Sequence, residues 1–178
     1  MPTESDVQCS ISGFSNESSP VDKEPYLLET LTPEDLKRRY NIDYDHPIQI
    51  KLGRSPVCDV VDERWNGGQP TTGYWSAWDR TIYCVGIAPP PGYVMQHEVI
   101  HFRQMDEADD VWAWWNRYLD DEDFRIEVEA EAYANDIYVD AQNMDGVLWC
   151  FNSPLYGFPP REKCRNAVQR HLDKLYGV

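Results

Sequence analysis

"HEVIH" (97–101), set within "GYVMQHEVIHFRQM" (92–105), is the stretch on which the reading of the whole chain turns. It uses two of only four histidines and spaces them four apart, with a glutamate directly after the first. On a helix, residues four apart stand one turn over each other, so His97 and His101 present their rings to a single point. Neutral imidazole is a good zinc ligand, and two at this spacing can share an ion. Glu98 is rotated off the ligand line, where it can take a proton from a water that the ion acidifies. The spacing His-Glu-x-x-His expresses that need for a base between two ligands. Met95, Val99, Phe102 and Met105 give the same helix an apolar stripe on a neighbouring face. The competing interpretation is an ordinary helix carrying two surface or core histidines, so the flanks must decide.

Upstream, "PIQIKLG" (47–53) alternates like a strand. "GGQPTTGYWSAWDRTIYCVGI" (67–87) reads as a hairpin, with an aromatic strand near 73–75, a turn at "AWDR" (77–80) and a return over 81–87. "LTPEDLKRRY" (31–40) predicts a short helix with Thr32 as N-cap, Pro33 at the first position and Asp35 completing a capping box. Downstream, helices are expected over 109–119, 124–144 and 161–176, with 151–160 as loop. The fold class is therefore α+β. About three strands in a short mixed or antiparallel sheet pack on the HExxH helix, and a glutamate-bearing helix and further helices come after it.

A catalytic zinc needs a third protein ligand and an open position. "RIEVEAEAYA" (125–134) offers Glu127, Glu129 and Glu131. Projected on a helix, the apolar stripe is Ile126, Ala130, Tyr133, Ala134, Ile137 and Ala141. Glu127 falls nearest that stripe, and Glu129 and Glu131 lie on opposite flanks. Glu127 is thus the expected metal ligand, with Glu131 as the alternative ligand or as the acid that receives the outer N–H of a liganding histidine. The small Ala130 and Ala134 are expected to let this helix approach the HExxH helix.

"HEVIH" followed by "RIEVEAEAYA" resembles the gluzincin metallopeptidases, in which the third-ligand helix carries Glu-x-x-Ala followed by Asp, Asn or Glu. The likeness covers roughly residues 73–141 and extends to small phage and bacterial metallopeptidases of the minigluzincin kind. It implies a zincin-like fold, with Zn2+ on His97, His101 and Glu127, Glu98 as catalytic base and Glu131 behind the ligands. A shorter form of the pattern also starts at Glu129. The resemblance further implies an extended peptide or protein substrate beside the strand near Tyr83 to Ile87, and a Tyr or His that stabilises the oxyanion. Tyr133, Tyr138 and His171 are candidates for that last role by residue type alone.

The formal net charge of −15 argues against nucleic acid and anionic membranes as partners and favours a divalent cation. Residues 1–25 are rich in Ser, Pro and acid and are expected to form a disordered arm, leaving 26–178 as a single zincin-like domain. No signal peptide or transmembrane run is expected, which points to a cytoplasmic or virion-associated protein. The five scattered cysteines form no CxxC and demand no disulfide framework. Two functions are consistent with these features. One is a zinc-dependent metallopeptidase-like hydrolase. The other is a structural or interaction protein, for example a virion component, docking through its N-terminal arm or Trp-rich helix. There Trp112 and Trp115 are expected to face the core, and Trp114 could be exposed as a contact.

Overall fold

The computed structural model describes residues 24–139 and 141–178. The arm expected over 1–25 therefore lies outside the described residues except for its last two. The described chain is α+β. The elements run β1 (Tyr26–Leu31), α1 (Pro33–Tyr40), β2 (Ile48–Leu52), α2 (Cys58–Trp65), β3 (Tyr74–Trp78) and β4 (Thr81–Val85). Five helices then complete the chain: α3 (Gly92–Asp106), α4 (Val111–Asp120), α5 (Glu122–Tyr138), α6 (Met144–Phe151) and α7 (Arg161–Tyr176). No helix among the described residues is long and apolar enough to cross a membrane.

The sheet has four strands rather than about three, in the order β1-β2-β4-β3. β1 is the strand that the sequence reading did not foresee. It pairs antiparallel with β2, β2 pairs parallel with β4, and β4 pairs antiparallel with β3, so the sheet is mixed. All five residues of β4 are buried, as suits a strand flanked on both edges. The β3–β4 turn places Asp79 and Arg80 both at positive φ, the twist that a two-residue hairpin needs.

Local chemistry sets most helix starts. Thr32 and Asp35 exchange the bonds of the capping box ahead of α1. Asp110 accepts from Ala113 N–H to begin α4, and Asp121 accepts from Phe124 N–H to begin α5. The acidic run at 120–123 has a structural part, because Asp121 closes one helix and caps the next. The helix expected over 124–144 is two elements. α5 ends where Ala141 and Gln142 both donate to the Asp136 carbonyl, and Asn143 then caps α6 by accepting from Gly146 N–H.

Two larger hydrophobic clusters result, beside a small one of Cys58, Tyr83 and Val85. One lies between the sheet and the α3–α4 pair and includes Ile48, Ile82, Met95, Val99, Phe102 and Trp114. The other joins α5, α6 and α7 through Ile126, Ala130, Ala134, Phe151, Val168 and Leu172. α5 is therefore covered on two sides, by α3 and by α7. That double burial decides which of its glutamates meets the histidines. The Trp-rich helix also departs from expectation: Trp114 is 4% exposed and packs in the core, whereas Trp112 is 47% exposed and rests edge-on against Trp78.

Candidate metal centre

His97, Glu98 and His101 lie in the middle of α3, and all three are buried. The four-residue spacing does what helix geometry requires, bringing the two Nε2 atoms to 3.2 Å. The third member of the cluster comes from α5 and is Glu129, whose Oε2 stands 3.7 Å from His97 Nε2 and 3.6 Å from His101 Nε2. These three residues form a group that could hold a metal ion. The three separations define a triangle whose centre is about 2.0 Å from each corner, the length of a zinc–nitrogen or zinc–oxygen bond.

The hydrogen-bond shell strengthens the case for a cation. His97 Nδ1–H donates to Asp136 Oδ2 at 2.9 Å. His101 Nδ1 lies 2.9 Å from Gln104 Oε1. The orientation of that amide is fixed from the other side, because Gln104 Nε2 donates to the Val128 carbonyl and to Glu131 Oε2. His101 Nδ1 must then carry the hydrogen. With both Nδ1 atoms protonated, neutral imidazoles turn two Nε2 lone pairs toward each other and toward a carboxylate. Glu129 Oε2 is buried without a hydrogen-bond partner among the described residues, while Oε1 accepts from Tyr118 O–H at 2.7 Å. Two lone pairs and an unpaired anionic oxygen at one point are repulsive unless a proton or metal ion sits among them.

Titration behaviour follows from the same contacts. Burial opposes charge on His97, but Asp136 and Glu129 outweigh it and hold its pKa well above the usual histidine value. His101 is raised by Glu129 against the same burial. For Glu129, burial pushes the carboxyl up, and the two imidazoles more than offset it, leaving it well below the carboxylate range. Glu98 is raised, chiefly by burial.

The expectation for the third ligand is corrected. Glu127 points away from the histidines and pairs with Arg170 and His171 on α7, and its side chain is 45% exposed. The apolar stripe Ile126, Ala130 and Ala134 used to orient α5 faces α6 and α7, not α3. The face turned to the histidines is the neighbouring one, where Arg125, Glu129, Ala132 and Asp136 recur at helical spacing and are all buried. Glu131 is one step further out than expected, touching Gln104 rather than a histidine. Asp136 takes the histidine-orienting role expected of Glu131, and neither Asp136 nor Gln104 was foreseen. A buried polar stripe beside an apolar one was the available signal.

Two clefts meet at the site. The inner one is walled by β3, by Val57, Val61 and Met105, and by the aromatic residues of α4. The outer one passes Trp75, Tyr93, Tyr133 and Trp149. His97, Glu98 and Tyr156 line both. Of the three residues proposed by type to stabilise an oxyanion, Tyr133 alone is at the site. Its ring stands edge-on to His97, 4.7 Å between centroids, and its hydroxyl is 2.7 Å from that of Tyr156. Tyr138 packs on Tyr176, and His171 is held by Glu127. The strand expected to border an extended substrate, near Tyr83 to Ile87, is β4, which is paired on both edges; the terminal strand beside the cleft is β3. No protein-family model matches the chain, and neither a curated protein nor a solved structure matches it.

Proposed function

We propose that the chain is a zinc-dependent metallopeptidase. The observation that carries this reading is the convergence of His97 Nε2, His101 Nε2 and the unpartnered Glu129 Oε2 on one point, with the buried Glu98 on the same cleft wall. Two nitrogens and one carboxylate oxygen suit zinc and leave a position for water. Bound zinc supplies Lewis acidity, making water acidic enough to ionise near neutral pH and polarising a carbonyl for attack.

The residues divide the remaining work. Asp136 and Gln104 fix the imidazole tautomers, and Tyr118 holds the Glu129 carboxylate in place. Glu98 takes the proton of the attacking water and returns it to the leaving amine. Its raised pKa suits both halves of that cycle. In the Tyr133–Tyr156 pair one hydroxyl donates to the other, which leaves one hydrogen to steady the carbonyl oxygen as charge develops there. An extended peptide lies along the edge of β3 that is unpaired among the described residues, exchanging main-chain hydrogen bonds as an added strand.

The test is metal content by mass spectrometry together with turnover of a peptide library, on wild type and on Glu98→Gln. Near-stoichiometric zinc in both proteins, with cleavage in the wild type alone, is the expected result. A wild type that takes up no zinc on reconstitution, or a fully active Glu98→Gln, overturns the proposal. Zinc without cleavage of any peptide points instead to an interaction protein in which the ion ties α3 to α5.

A further inference from the structure

The outer cleft has a charge that the metal centre does not absorb. Asp136 stands in its wall, 2% exposed. Its Oδ2 is engaged by His97, while Oδ1 is buried with no hydrogen-bond partner among the described residues. A divalent ion on the triad is balanced by the carboxylates of Glu129 and Glu98, so Asp136 remains as a surplus negative charge. No lysine or arginine lines either cleft among the described residues. The rest of the outer wall is strongly aromatic. Trp149 is 71% exposed and Tyr93 39% exposed, so both have ring surface open to a ligand. Aromatic faces beside a carboxylate with one unpartnered oxygen form the surroundings in which an organic cation is held by ion pairing and by the ring quadrupole.

We infer that the outer cleft recognises a positively charged group on the substrate, an ammonium or guanidinium held by Asp136 and the faces of Tyr93 and Trp149. This builds on the peptidase reading, naming the class of peptide that the site selects. The cation can come from a lysine or arginine side chain close to the scissile bond, or from a free α-amino group. Acidic peptides are disfavoured twice, by Asp136 locally and by the net charge of −15 at long range.

The experiment uses the zinc-loaded full chain and peptides of one length. Lysine is carried at each position in turn and replaced by norleucine in the matched control, with the N-terminus free or acetylated. Dissociation constants are measured on Glu98→Gln and cleavage rates on wild type. Lysine at one position is expected to bind about tenfold tighter than norleucine, and Trp149→Ala is expected to narrow that ratio. A loss caused by acetylation alone would assign the cation to the α-amino group. Equal affinities for all four forms at every position, or no binding of any, overturn the inference. The two readings fail differently. A lysine preference without cleavage removes the peptidase and keeps the cation site, and cleavage without preference does the reverse.

Discussion

Gln104 fixes the tautomer of His101. Its amide oxygen lies 2.9 Å from Nδ1, and its amide nitrogen is committed to the Val128 carbonyl and Glu131. One side chain from α3 thus reads the position of α5 and transmits it to a candidate ligand on its own helix. Residues that orient a liganding imidazole typically carry about 10–100-fold of metal affinity. Gln104→Ala is expected to weaken zinc binding by about that factor in a chelator competition, and Glu131→Ala by less. Equal affinity in Gln104→Ala and wild type would show that the imidazole keeps its tautomer unaided.

The choice between Glu129 and Glu127 is tested by a pair of substitutions. Glu129→Gln removes the anionic oxygen facing both Nε2 atoms and is expected to abolish near-stoichiometric zinc. Glu127→Gln loosens exposed contacts with Arg170 and His171 and is expected to retain the metal, at a stability cost of about 1 kcal/mol or less. Zinc lost in Glu127→Gln and kept in Glu129→Gln would reverse the assignment.

The contrast between these two glutamates shows where sequence is legible. "HEVIH" needs only the helical period, because both histidines lie on one element and their separation is fixed by about 3.6 residues per turn. The capping box at Thr32 and the turn at Asp79–Arg80 are equally local, and so are readable. Glu129 depends on which face of α5 meets α3, a tertiary fact. The rule that the most apolar stripe faces the site fails because that stripe is spent on α6 and α7, while α3 is met by a polar stripe satisfied through His97 and Tyr118. β1 was missed for a related reason: Tyr26, Leu27 and Leu28 are exposed on an edge strand, and no alternation marks them.

Trp114 and Trp112 exchange the roles expected from spacing alone. Trp114 packs on Tyr118 and stands edge-on to His101, so Trp114→Ala opens a cavity beside the metal centre. The expected cost is about 3–5 kcal/mol, read as a lowered urea midpoint. Trp112→Ala removes a half-exposed ring leaning on Trp78 and is expected to cost about 1 kcal/mol or less. Equal midpoints for the two variants would contradict the burial of Trp114.

The gap in melting temperature between the zinc-loaded and metal-free proteins should widen as pH rises. In the chelated protein His97 and His101 have folded pKa values above the unfolded value of about 6.5. The stability they contribute is fully present below that value and is lost as pH rises through the folded values. Glu98 shifts upward too, so its contribution carries the same sign. Glu129 is lowered, and its contribution is lost only as the medium becomes strongly acidic, outside this window. The melting temperature of the chelated protein is therefore expected to fall as pH is raised from about 6.5. With zinc, metal and protons compete for the same Nε2 atoms, so affinity is expected to rise over that range and to offset the fall seen in the chelated protein. Melting curves from about pH 6 to 9, with and without chelator, should diverge upward with pH. Parallel curves would mean that the imidazoles of "HEVIH" do not exchange protons for metal.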